Sequence, residues 1–133
     1  MIVVDTNVLA YFFIDGAQTP LARSVMMRDP DWAAPTLWRS EFCNVLMLYL
    51  RKGTFTYSHA ANLVVAAEAT LAAPDWKVDP AQILSLALAS GCTSYDCEFV
   101  AAAQSASVPL VTADRKVLNA FPTTAVSLQD FIA

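Results

Sequence analysis

Basic residues are scarce in this chain: eight Lys and Arg stand against twelve Asp and Glu, for a formal net charge of −4. A surface of that sign repels polyanions, which argues against broad, nonspecific attachment to nucleic acid. Histidine occurs once, as His59, and glycine three times. Neither a Ser/His/Asp or Cys/His nucleophilic set nor a glycine-rich phosphate loop can be argued from so few, and His59 reads as structural or solvent-facing. The three cysteines, Cys43, Cys92 and Cys97, are odd in number and lack metal-ligand spacing. They read as buried thiols rather than a disulfide framework or zinc site. Long hydrophobic runs are missing as well, although 56% of the residues are hydrophobic. The richest stretch, 62–73, is interrupted by Glu68 and Thr70 and falls short of the roughly eighteen apolar residues of a membrane span. No basic residue precedes the first apolar run and Asp5 interrupts it, so a signal peptide is not expected and the cytoplasm is the expected location.

What is present is an alternation of short apolar runs and helical segments along 133 residues. That length and pattern predict one domain, 1–133, of the α/β class. Ile2-Val3-Val4 is apolar and β-branched throughout, as suits a strand buried on both faces. A short helix follows from Asn7 to Phe13, and after Asp15-Gly16 a second runs from Pro20 to Met27 with Thr19 as its cap. Trp32-Ala33-Ala34-Pro35 is the second predicted strand, turning at Thr36, also read as a cap, into a long helix from Leu37 to Lys52. Arg51 and Lys52 in its last turn and Gly53 just past it suit a helix end. Thr56 or Ser58 caps a helix through Ala60 to Ala72, and Trp76-Lys77-Val78 is the third predicted strand. Asp79-Pro80 opens a helix that runs through Ala89 and stops at Gly91. Thr93 and Asp96 are spaced as a capping box for a helix from Ser94 to Ala106. Pro109 to Thr112 is the fourth predicted strand, followed by a short helix through Leu118, an edge strand at Ala125–Ser127 and a terminal helix from Gln129 to Ile132.

Two strands thus end on an acid, Asp5 after the first and Asp114 after the fourth. In an open α/β sheet the carboxyl edge is where ligand crevices form. Glu41 lies between Leu37 and Val45 on a helix face that implies partial burial, where a carboxylate needs a partner, and Asn44 shares that face. Asp96 stands in the first turn of its own helix. Each acid also has a plainer reading: Asp5 and Asp114 as helix caps, Asp96 as part of the capping box, Glu41 as a surface residue paired with a basic neighbour. If the four converge, their mutual repulsion calls for a cation. Oxygen ligands without His or Cys suit Mg²⁺ or Mn²⁺ and, with it, phosphoryl or phosphodiester chemistry. The aromatic residues Tyr11, Phe12, Phe13, Trp38, Phe42 and Tyr49 read as core or subunit interface rather than as base-stacking platforms.

Taken in order, the strand with Asp5-Thr6-Asn7, the helix segment Ser40-Glu41-Phe42-Cys43-Asn44-Val45-Leu46, Tyr95-Asp96, and Leu110-Val111-Thr112-Ala113-Asp114-Arg115-Lys116 resemble the PIN domain, most closely the VapC-type toxins of prokaryotic toxin-antitoxin pairs. The resemblance spans the whole chain. It implies a three-layer α/β/α fold around a central parallel sheet of four to five strands, and a metal-dependent ribonuclease. Asp5, Glu41, Asp96 and Asp114 match the family's four acidic positions; Asp5, Asp96 and Asp114 would hold Mg²⁺ or Mn²⁺, with Glu41 binding a second metal or positioning the attacking water. Asn7, Asn44 and Thr112 fall where polar residues support the acids. The family also implies a homodimer and a cognate antitoxin protein that lies across the site, often inserting a basic side chain. The acidic pI departs from this picture, and requires Arg23, Arg28, Arg39, Arg115 and Lys116 to form a local basic rim, or the metal itself to attract RNA.

Two rivals are weaker. A haloacid-dehalogenase-like phosphohydrolase needs a second acid two residues after the first, where this chain has Asn7, and a receiver domain needs an acidic neighbour that Asp5 lacks. A PIN-like binding or regulatory module without catalysis is the alternative of a different class, and the retention of all four acids counts against it.

Overall fold

Ile2-Val3-Val4 forms the middle strand of the sheet, its three residues almost wholly removed from solvent. The computed structural model describes residues 1–133. Its elements are β1 (Ile2–Val4), α1 (Thr6–Phe13), α2 (Thr19–Arg28), β2 (Trp32–Pro35), α3 (Trp38–Arg51), α4 (Tyr57–Thr70), β3 (Ala73–Trp76), α5 (Pro80–Ser90), α6 (Ser94–Ala106), β4 (Leu110–Val111), α7 (Arg115–Ala120), β5 (Ala125–Val126) and α8 (Leu128–Ile132). The five strands are all parallel and lie in the order β3-β2-β1-β4-β5. Val3 pairs with Ala33 on one side and Leu110 on the other.

That order dictates the layers. Crossovers, right-handed by the general rule for parallel strands, carry the chain outward from β1 to β3 through α1 to α4, then back across β1 to β4 and β5 through α5 to α7. Reversing direction within the sheet places the second set of helices on the opposite face, giving the α/β/α sandwich that the sequence implies. Within it, α6 packs on β1, β2 and β4 with α5 against it, while α1 joins α2, α3 and α4. The reversal falls between β1 and β4, the switch point where an open sheet leaves a crevice at its carboxyl edge.

Aromatic side chains glue the first helical layer to the sheet. Trp32, Trp38 and Phe42 are fully buried, Phe12 meets Trp32 edge-on at 5.3 Å, and Phe13 meets Phe42 at 6.3 Å. Burial of each such side chain contributes about 1.5–3 kcal/mol. Tyr49 stacks on Phe55, whose ring in turn receives His59 edge-on, a structural setting for the lone histidine.

Several expected boundaries shift for identifiable reasons. Thr19 does not cap α2: its buried hydroxyl donates to the Tyr11 and Ile14 carbonyls and accepts the Gly16 N–H, clasping the α1–α2 turn. Thr36 does not cap α3 either; its N–H bonds the Trp76 carbonyl, extending the sheet, and no side chain caps that helix. The third strand is Ala73–Trp76 rather than 76–78, because the Ala72 N–H already donates to the Trp32 carbonyl and the chain is in the sheet before Pro74. Trp38 pins this edge strand through its indole N–H to the Pro74 carbonyl at 2.7 Å. Cys92 and Cys97 are buried as expected, but Cys43 is exposed, at a groove between α3 and α4.

Candidate active site

The strand-end acids come first because β1 and β4 are adjacent. Asp5 follows β1 and caps α1, accepting the Val8 N–H at 3.0 Å; Asp114 follows β4 and caps α7, accepting the Lys116 and Val117 N–H groups on one oxygen. Both therefore serve as the caps of the plainer reading, and capping aims each carboxylate at the crevice side of its strand end. Thr112 joins them: its hydroxyl donates to Asp5 Oδ2 and accepts the Asp114 N–H at 3.0 Å.

The other two acids arrive from opposite helical layers. Glu41, in the first turn of α3, is half-buried and accepts a 2.7 Å hydrogen bond from the Thr6 hydroxyl. Its partner is a hydroxyl on α1, not the basic neighbour of the surface reading. Asp96 lies in the first turn of α6, where its backbone N–H donates to the Thr93 hydroxyl at 3.1 Å. Only this half of the expected capping box forms, and the Asp96 carboxylate is left to the cleft.

Asp5, Glu41, Asp96 and Asp114 line one cleft of about 230 Å³, together with Thr6, Asn7 and Asn44 and a wall of Val45 and Phe99. No basic side chain lines it. Asn7 and Asn44 are exposed and make no bond to an acid, so of the three predicted supporting residues only Thr112 holds a carboxylate here. The electrostatics reflect the crowding. Burial, with smaller contributions from the charges of Asp114 and Glu41, pushes the Asp5 carboxyl from 3.8 to about 6 against the opposing hydrogen bonds of Thr112 and Val8. Burial also raises Glu41, with Asp96 and Glu98 adding repulsion and Thr6 opposing them.

Four carboxylates on an otherwise neutral wall fit a hard divalent cation, since every donor is oxygen. They are not preassembled around one: no three His, Cys, Asp or Glu side chains stand grouped to hold an ion, and Asp5 and Glu41 rest on threonine hydroxyls instead.

The expected basic rim is largely spent elsewhere. Arg39 is engaged by Glu68 and Asp75, Arg23 by Asp15 at 3.7 Å, and Arg28 lies over the Phe131 ring. Arg115 and Lys116 alone stay beside an acid of the cleft, directly after Asp114. Sequence reasoning missed two contributors, the Thr6 hydroxyl and the Glu98 charge, both of which act on Glu41. The only signal for Thr6 was its place immediately after Asp5.

The sequence profile of the PIN domain family matches residues 2–122. Among solved structures, PAE2754 from Pyrobaculum aerophilum aligns with a TM-score of 0.77 over 98% of this chain and 85% of that one, at 20% identity, a likeness of fold. No curated protein matches the chain.

Proposed function

The chain belongs to the PIN domain family, and from that membership and its acidic cleft we propose that it is a metal-dependent endoribonuclease, the toxin of a toxin-antitoxin pair. PIN domains are generally nucleases that use divalent ions, and no helix here is long and apolar enough to cross a membrane. The observation that carries the reading is the convergence of Asp5, Glu41, Asp96 and Asp114, from four separate elements, on one cleft with no basic lining. A single domain, 1–133, working in the cytoplasm as a homodimer, completes the proposal.

Asp5, Asp96 and Asp114 would hold Mg²⁺ or Mn²⁺. When bound, the ion supplies positive charge to the phosphorus oxygens and lowers the pKa of water. Glu41 takes one proton of the attacking water as the water oxygen bonds to phosphorus; the bond to the ribose oxygen breaks, and that leaving oxygen takes its proton from solvent water. A half-buried carboxylate with a raised pKa suits that role better than a fully solvated one. Thr112 and Thr6 orient Asp5 and Glu41 in the manner of outer-sphere partners. Val45 and Phe99 form the apolar wall of the cleft.

The test is cleavage of single-stranded and structured RNA by the purified protein with Mn²⁺ or Mg²⁺, in parallel with EDTA and with Asp5→Asn. Cleavage that depends on both metal and Asp5 is expected; cleavage that needs neither would sink the assignment. For the toxin role, a neighbouring reading frame should encode a small protein with a basic tail whose co-expression suppresses that cleavage.

A further inference from the structure

Beside the acidic cleft, beyond Asp114, lies a second cavity of about 330 Å³ between α1, α2, α7 and α8, lined by Tyr11, Gln18, Leu21, Arg115, Leu118 and Asn119 among others. Resting on the nuclease reading, we propose that this cavity seats one nucleotide of the substrate strand flanking the scissile phosphate, with its phosphate on Arg115 and its base against Tyr11.

Three observations carry this. The first is charge. A net-acidic chain must meet a polyanion through a local cation, and Arg23 and Arg39 are held in ion pairs. Arg115 lines the cavity with no acid paired to it. Its planar guanidinium is the side chain best matched to phosphate oxygens.

The second is chemistry of the lining. The side chains of Gln18 and Asn119 are exposed and make no hydrogen bond within the chain, whereas Gln82 and Gln104 bond each other and Gln104 also bonds Thr124. Side-chain amides present donor and acceptor together, the pairing that reads a base edge. Leu21 and Leu118 supply an apolar floor. Of the three neighbouring aromatics on α1, Phe12 and Phe13 face other rings of the core, while Tyr11 borders the cavity. Aromatic faces accept bases by stacking.

The third is position and size. Ala113 and Arg115, the two neighbours of Asp114, both line this cavity, while Asp114 itself lines the acidic cleft. A strand whose scissile phosphate sat among the acids would meet Arg115 on leaving the cleft past Asp114. The volume falls at the lower end of the range of about 300–1,000 Å³ found for small-ligand sites, a size that suits one nucleotide.

The experiment is an amide-shift NMR titration of the full chain in EDTA with a nucleoside 5′-monophosphate, with inorganic phosphate and the free nucleoside as separate arms. Saturable shifts are expected at Gln18, Arg115, Leu118 and Asn119, with the monophosphate binding at least tenfold tighter than either fragment. Arg115→Ala should weaken it tenfold or more and Tyr11→Leu at least fivefold. With Mn²⁺ and a short RNA, Arg115→Ala should raise KM at least fivefold and change kcat less than threefold; Asn119→Ala provides the same reading if the arginine variant folds poorly. Shifts absent from this cavity, or unchanged binding in both Arg115→Ala and Tyr11→Leu, overturn the proposal whatever the hydrolysis assay returns. Binding at the cavity with no RNA cleavage by the unmodified protein keeps the nucleotide site and overturns the nuclease reading instead.

Discussion

The Thr112 hydroxyl donates to the Asp5 carboxylate across the boundary between β4 and β1. The same oxygen accepts the Asp114 N–H at 3.0 Å, so one buried side chain sets the spacing of two strand-end acids. Thr112→Val keeps the shape and removes the link. The Asp5 oxygen then lies enclosed without its donor, and a loss of about 1–3 kcal/mol in urea unfolding is expected. Mn²⁺ affinity, read by calorimetry, should fall about 10- to 100-fold. Thr112→Ser should restore most of both.

Asp5 makes the metal-free protein sensitive to pH. Burial raises its folded pKa from 3.8 to about 6, so the fold prefers the neutral acid. The stability associated with that preference is fully present below the unfolded value and is lost as pH rises through about 6. The difference corresponds to roughly 3 kcal/mol. Asp5→Asn has no charge to lose, so in EDTA it should be the more stable protein at pH 7–8 and should not show the decline between pH 4 and 6. Urea unfolding of both proteins across pH 4–8 checks this, and equal slopes would refute it. Added Mn²⁺ should stabilise the unmodified protein and leave Asp5→Asn nearly unmoved.

Glu41 depends on Thr6 in the same sense. The Thr6 hydroxyl is the one interaction that lowers the Glu41 pKa against burial and repulsion from Asp96 and Glu98. Thr6→Val should therefore raise it further. If the ionised carboxylate takes a proton during cleavage, the acidic limb of the kcat profile moves to higher pH and kcat on that limb falls. Glu41→Gln should remove at least a hundredfold of kcat at every pH while the circular dichroism spectrum stays the same. A pH profile identical in Thr6→Val and the unmodified protein would show that this hydrogen bond is structural only.

One backbone position carries strain away from the cleft. Ser107 ends α6 in the left-handed region, with φ 56 and ψ 41, while the Val108 N–H closes onto the Ala103 carbonyl. A side chain in that conformation costs about 1 kcal/mol relative to glycine. Ser107→Gly should raise stability by about 0.5–1 kcal/mol in thermal or urea unfolding, with cleavage unchanged, because Ser107 is exposed at the opposite end of α6 from Asp96.

Helix ends were the most legible part of the chain, because capping is written in adjacent residues. Thr56, Asp79 and Thr93 cap the helices that the sequence assigns them, and Gly53 and Gly91 take the positive φ that a terminating helix requires. Thr19 and Thr36 carried the same local signal but found tertiary partners, a turn carbonyl and an edge strand, which no neighbouring residue announces. The placement of Asp5 and Asp114 followed from apolar runs ending in acid. Their meeting needed the strand order, and the support of Glu41 by Thr6 needed the packing of α1 on α3. Such relations join residues dozens of positions apart and leave no periodic trace. The cavity beyond Asp114 was illegible for the same reason, since its lining comes from four helices.

Asp114 receives both amide donors of α7 on a single oxygen, at 2.9 and 3.3 Å. A carboxylate clamped at one corner cannot swivel, so it offers the cleft one oxygen at a fixed angle rather than two at will. Large, flexible coordination shells such as that of Ca²⁺ draw on two-oxygen grips, while a small, octahedral ion is satisfied by single oxygens and water. If the proposed ion binds here, the end of a short helix presents it with one fixed oxygen, and in a calorimetric competition at equal concentration Mn²⁺ should displace Ca²⁺.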